Sequence, residues 1–363
     1  MSDAKPMNYL TPTQTGQCVA CHTLSRNGKR LGADVGGENL WVVDVGPTFP
    51  PPVVFKADPS KKAISNAWVT FSPDTKRVVS SAQGLLTLRD GDTGLALGKG
   101  PNGTIPLGAG VFGQMPDWSP DGKFLVIARS AKAGGRKVDQ GSISILEWMG
   151  GDAFGAPNNL ITSTGSGDNN YFPMFAPTSD WIAYGHSTGA SEKAGDSQLR
   201  LVSVKGGAPF ELTTANTVVN DGVVTTGVSN NQPTWAPTTE GGVLWIAFQS
   251  KRDYGVVLAS GSKFGSGKNQ LWVAAIDVSK LGKGDPSFPA FRLPFQELNE
   301  NNHRPFWAID ATLPPPDDAG VPDSGVPDGG PPCIAFGEDC TGGGTCCDPY
   351  TCDVAGEFKY SCK

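Results

Sequence analysis

An aromatic residue followed by Ser or Ala, then Pro and a polar turn, recurs along this chain, and that recurrence constrains the fold more than any other feature. It reads Phe71-Ser72-Pro73-Asp74, Trp118-Ser119-Pro120-Asp121-Gly122, Phe175-Ala176-Pro177, Trp235-Ala236-Pro237 and, degraded, Phe306-Trp307-Ala308. The anchors Phe71, Trp118, Phe175, Trp235 and Trp307 are 47, 57, 60 and 72 residues apart. Behind each complete anchor comes one apolar run, at 76–80, 123–129, 181–186 and 244–250. A second follows at 85–90, 142–148, 198–205 and 269–277, and a weaker third at places such as 210–213 and 291–295. Short β-branched and aromatic runs bounded by Asp-Gly, Gly-Gly and Pro are strand signals. Pro-Asp-Gly sets a tight reversal between the first strand and the second. Four short antiparallel strands repeated around an axis make the blades of a β-propeller. The all-β class agrees with 48 Gly and 30 Pro among 363 residues, a turn-rich composition. The anchor aromatics are expected to pack between neighbouring blades.

The repeat also covers the start of the chain. Leu24-Ser25-Arg26-Asn27-Gly28-Lys29 stands in register with Trp118-Ser119-Pro120-Asp121-Gly122-Lys123, and Leu24 lies 47 residues before Phe71. Residues 40–45 supply a matching third strand. Five full sets of strands therefore begin near residues 17, 65, 113, 170 and 230, with one orphan innermost strand at 302–309. Either that strand completes the first blade, giving five blades, or its partners lie upstream of Met1, giving six; six is the expectation for the parent protein. The domain reading is a flexible leader at 1–16, a propeller at 17–312, a linker at 313–332 and a disulfide-rich mini-domain at 333–363.

Within the first set lies Cys18-Val19-Ala20-Cys21-His22. C-x-x-C-H is the attachment pattern of a c-type haem. Two thiols three positions apart can each add to a vinyl group on one porphyrin edge, and the adjacent His lies under the iron as its proximal ligand. A thioredoxin-like CxxC wants a βαβ setting, which is not visible here. A structural zinc site wants a second ligand pair, and the other six cysteines lie more than 300 residues away. One covalent haem c is thus expected, with Cys18 and Cys21 as thioethers and His22 as proximal ligand. His303, just before the orphan strand, is the candidate distal ligand, because that strand beside the first blade would bring it to the same channel mouth. His186, Met115, Met174, Met7 and an open site are the alternatives. Arg26, Lys29, Arg30 and Arg304 are near enough in the alignment to meet haem propionates, although a solvated turn suits most of them.

A net charge of −6 without a basic stripe argues against a nucleic-acid partner. No apolar stretch approaches the roughly 18 residues of a membrane span. Met1-Ser2-Asp3-Ala4-Lys5 lacks the apolar core of a signal peptide. Haem ligation and clustered cysteines nevertheless belong outside the cytoplasm, so a periplasmic or surface location is expected, with the export signal upstream of Met1.

The aromatic-Ser-Pro-Asp-Gly anchors resemble TolB-like propeller repeats over about 290 residues, and the C-x-x-C-H at a blade entry resembles haem-bearing TolB-like proteins. That resemblance implies a propeller and a haem, not a pathway. Residues 313–332 are rich in Pro, Asp and Gly and read as an extended spacer. Cys333, Cys340, Cys346, Cys347, Cys352 and Cys362 follow in a segment too short to fold without staples, and spacing alone leaves their pairing open. The adjacent-cysteine pattern is similar to the inhibitor cystine knot (knottin type), which implies Cys333–Cys347, Cys340–Cys352 and Cys346–Cys362. The tail reads either as a binder of a protein or glycan, or as a protease-resistant cap. For the whole chain the leading expectation is an electron carrier with a redox partner protein. A partner-binding propeller with a structural or sensory haem, and a haem peroxidase-type enzyme, are the alternatives. With three histidines in total and no nucleophile–base pattern, hydrolytic chemistry has little to work with.

Overall fold

Each early blade starts from the same hydrogen-bonded turn, set by a Ser two residues before an Asn or Asp. The Ser25, Ser72 and Ser119 hydroxyls donate to Asn27, Asp74 and Asp121 at 2.7, 2.6 and 2.7 Å. Each hydroxyl also accepts the N–H five residues on, from Arg30, Arg77 and Phe124, at 2.9 Å. The turn satisfies its own polar groups and reverses the chain tightly, so the second strand of each blade starts in a fixed register.

A computed structural model describes residues 8–36, 39–56, 68–130, 137–191, 195–220, 223–226, 229–239, 241–253 and 267–308, and the backbone of 352–356 and 359–362. The chain divides into two compact units, Met1–Pro314 and Pro315–Lys363. The first is a five-bladed β-propeller. Blade 1 is β1 (Val19–Leu24), β2 (Arg30–Val35), β3 (Asn39–Asp44) and β4 (Val53–Lys56), paired antiparallel in that order. Blade 2 is β5 (Trp68–Phe71), β6 (Arg77–Ala82) and β7 (Leu85–Asp90), with bridges Thr87–Thr104 and Arg89–Ala96 along its outer edge. Blade 3 is β8 (Phe112–Trp118), β9 (Phe124–Ser130) and β10 (Ser142–Gly150), flanked by β11 (Ala153–Phe154) and β12 (Asn158–Ile161). Blade 4 is β13 (Asn169–Phe175), β14 (Trp181–Ser187), β15 (Gln198–Ser203) and β16 (Phe210–Glu211). A separate hairpin, β17 (Thr217–Asn220) and β18 (Val223–Thr226), precedes blade 5. Blade 5 is β19 (Asn231–Trp235), β20 (Val243–Ser250), β21 (Gln270–Asp277) and β22 (Phe291–Arg292). In the second unit the described backbone is one hairpin, β23 (Cys352–Gly356) with β24 (Lys359–Cys362), whose register sets Cys352 opposite Cys362. Cys333, Cys340, Cys346 and Cys347 fall outside the described residues, and with them every inferred disulfide.

The anchors tie each blade to the one before it. Phe71 packs with Leu40 and Val42 of blade 1, and Trp118 with Val79, Leu86 and Leu88 of blade 2. Phe175 reaches Val126 and Ile143 of blade 3, and Trp235 reaches Leu199 and Leu201 of blade 4. The orphan segment does not complete blade 1, which has four strands of its own. It forms no strand among the described residues and instead bridges blades 5 and 1. The Asn302 N–H donates to the Asn269 carbonyl at 2.9 Å, and Phe306 packs both on the blade 4–5 core and, at 5.8 Å, on the His22 ring.

Trp118 is 2% exposed and its Nε1–H donates to the Gly122 carbonyl at 3.1 Å. Trp118→Ala should therefore cost about 3–5 kcal/mol of stability. Leu95→Ala, at a residue 67% exposed, should stay within about 0.5 kcal/mol. Denaturant midpoints for the two variants check the difference.

Candidate functional site

In a regular strand neighbouring side chains face opposite ways, so Cys21 and His22 would be parted. A bulge in β1 prevents this. The β1–β2 register slips between Ala20 and Thr23, and Cys21 takes φ 44°. Bulges re-aim side chains, and here both Cys21 and His22 line one cavity at the channel mouth. The same bulge recurs in β8, β13 and β19, with Met115, Phe172 and Gln232 at φ 52°, 51° and 51°. Each stands three residues before its anchor, as does Arg304 at φ 40°. In those repeats the next residue is Pro116, Pro173, Pro233 or Pro305, which suits a site released from ladder pairing. In blade 1 that place is taken by His22.

The cavity encloses about 640 Å³, within the range of small-molecule and cofactor sites. Its walls include Cys21, His22, Trp68, Phe172, His303 and Arg304. Cys18 lies just outside, exposed on the rim where β1 begins. Water reaches the His22 ring through the cavity, but protein surrounds it on its remaining sides. That enclosure, followed by the charge of Arg304, pushes its pKa down to about 4. His22 is therefore neutral at neutral pH, with a lone pair to give. His303 is lowered too, first by desolvation and then by Lys251. Its Nδ1 is 2.8 Å from Gln249 Oε1. Asn269 Nδ2 lies farther from the same nitrogen, at 3.4 Å, so the shorter contact to an acceptor favours a proton on Nδ1 and a lone pair on Nε2.

None of the other described candidates lines the cavity. His186 Nδ1 meets Asn170 Oδ1 at 3.1 Å and Asp168 at 3.5 Å, away from the cavity lining. Met115 is 1% exposed, and its sulfur accepts the Phe172 N–H at 3.3 Å. Met174 belongs to the blade 4–5 core, and Met7 lies outside the described residues. Of the four cations expected near propionates, only Arg304 lines the cavity. Lys29 sits exposed in the first turn, and Arg30 pairs with Asp44 and Asp92, each at 2.9 Å. Arg26 occupies the anchor's Pro position and reaches across to blade 3, where it pairs with Asp117 at 2.6 Å and donates to the Trp118 carbonyl at 3.1 Å. Burial pushes the Asp117 carboxyl up, while Arg26, the Phe175 N–H and Arg304 pull it back.

Trp68, Phe172, Gln249, Lys251 and Asn269 carry no motif, so sequence reasoning missed them. The three-before-anchor offset would have found Trp68 and Phe172. Four lining residues hold buried polar atoms with no hydrogen-bond partner: Trp68 Nε1, Gln232 Oε1, Asn269 Oδ1 and Arg304 Nη1. A thiol and two neutral imidazoles inside, a second thiol on the rim, two aromatic walls and nearby cations form a donor set that fits a covalently held tetrapyrrole iron.

No protein-family model and no curated protein matches the sequence. Among solved structures the chain is similar to a protein of Agrobacterium tumefaciens assigned as TolB, at 16% identity over 77% of this chain and 81% of that one, TM-score 0.47. It is similar to TolB from Acinetobacter baumannii at 15% identity, over 79% and 55% of the two chains, TM-score 0.42. It is also similar to dihydro-heme d1 dehydrogenase NirN in complex with DHE, at 13% identity over 76% and 47%, TM-score 0.45. The chain spans about half the length of the last two. Among the described residues no helix is long and apolar enough to cross a membrane.

Arg26 is the counter-ion nearest the buried Asp117. Arg26→Gln should cost about 3–5 kcal/mol by leaving that carboxylate under-compensated. Arg26→Met combined with Asp117→Leu should recover much of the loss. Urea denaturation of the single and double variants is the check, and a single-variant loss under about 1 kcal/mol would contradict the assigned role.

Proposed function

We propose that the chain is a monohaem c-type cytochrome built on a propeller, working outside the cytoplasm in electron transfer with a protein partner. The observation that supports this reading is the convergence of Cys21, His22 and His303 on one cavity, with Cys18 on its rim. When bound, the haem supplies a one-electron iron couple. The β1 bulge aims His22 inward, and the segment bridging blades 5 and 1 carries His303 to the same cavity. Gln249 Oε1, at 2.8 Å from His303 Nδ1, favours the tautomer that leaves Nε2 free to ligate. Trp68 and Phe172, edge-to-face at 5.0 Å, close off part of the wall to water. His22 and His303 would hold the iron as two imidazole ligands, a set that favours electron transfer over substrate turnover. The exposure of Cys18 on the rim would leave a group attached there within reach of a partner.

The test is visible spectroscopy on protein made in a host with a haem-ligation system. A c-type pyridine haemochrome and a six-coordinate low-spin spectrum are expected. His303→Ala should turn the spectrum high-spin, while His186→Ala should leave it unchanged. A spectrum indifferent to His303→Ala removes that residue as ligand, and a high-spin parent spectrum would favour peroxide chemistry instead.

A further inference from the structure

The cavity carries positive charge that no carboxylate lining it balances among the described residues. Arg304 and Lys251 line it, and no Asp or Glu does among the described lining residues. Lys251 makes no ion pair among the described residues. The Arg304 guanidinium lies between two rings, 5.4 Å from the Trp68 centroid and 5.1 Å from that of Phe306. Aromatic faces attract a cation but do not neutralise it. Asp117, the carboxylate whose charge acts on Arg304, is already held by Arg26 at 2.6 Å and makes no ion pair with Arg304 among the described residues. Arg304 Nη1 is buried with no hydrogen-bond partner. A guanidinium withdrawn from water without a counter-ion costs several kcal/mol, so such sites take up an anion.

We infer that Arg304 and Lys251 form a carboxylate subsite on the cavity wall. The planar fork of Arg matches a carboxylate in a bidentate way, and Lys adds a second point charge. The adjoining faces of Trp68 and Phe172 suit an apolar body attached to that carboxylate. The carboxylate has two chemical sources: a propionate arm of a bound tetrapyrrole, or a free apolar carboxylic acid. The charge balance is a property of the chain itself and holds whether or not a haem is attached.

The experiment uses the full chain made without haem ligation, titrated calorimetrically with 3-phenylpropionate and with its neutral amide. The acid should bind at least about tenfold tighter than the amide. Arg304→Gln should erase that preference. Lys251→Gln, at a partly exposed residue whose replacement leaves the core alone, should weaken the acid about threefold without affecting the amide. Repeating the titration on haem-loaded protein separates the sources. Loss of binding there assigns the subsite to the propionate, and retained binding assigns it to a free acid. Equal affinity for acid and amide, or variants that bind the acid as the parent does, overturns the inference. The haem-free arm does not depend on thioether formation, so failure of the cytochrome reading would not mimic failure of this one.

Discussion

One backbone constraint organises this molecule: inner strands are broken three residues before their aromatic anchor. A bulge with a left-handed residue there costs a non-glycine residue about 1–2 kcal/mol, and β1, β8, β13 and β19 all bear it. What it gains is a turn of consecutive side chains towards the channel mouth. Where the following residue is Pro, the arrangement is structural. In blade 1 alone the pair is Cys21 and His22, so a feature of the repeat becomes a place for a donor set.

A second level of organisation is electrostatic. Arg26 joins three blades: its contacts with Asp117, the Trp118 carbonyl and, at 3.4 Å, the Phe175 carbonyl link blades 1, 3 and 4. The ion pair engages Asp117, the carboxylate that acts on Arg304 among the described residues. The charge of Arg304 therefore remains available to the cavity, and with Lys251 it lowers the basicity of the two histidines. Neutral imidazoles beside unpaired cations suit a site for an iron with carboxylate-bearing substituents.

Much of this was legible in the sequence, for identifiable reasons. The Ser-x-Asp-Gly turn and the apolar runs are local signals, and 85–90 and the starts of the strands at 142, 181 and 198 agree with β7, β10, β14 and β15. The class and the repeat follow from counting periods. The segment at 302–308 carries an anchor, Trp307, that looks like the others in sequence, yet among the described residues it has no partner strand and bridges blades 5 and 1. Arg26 was misread because a turn position usually faces solvent, whereas this one reaches blades 3 and 4. Gln249, Lys251 and Asn269 were invisible because their roles arise only when β20 and β21 bring distant segments to the rim.

The cytochrome reading depends on whether a tetrapyrrole is bonded to the chain through sulfur. Intact-mass spectrometry of denatured protein from an export-competent, haem-ligating host measures that directly. The expected result is one added haem mass, retained under denaturation and lost when Cys18 and Cys21 are both replaced by Ala. A chain of unmodified mass, with those two thiols reduced or bonded to each other, would contradict it.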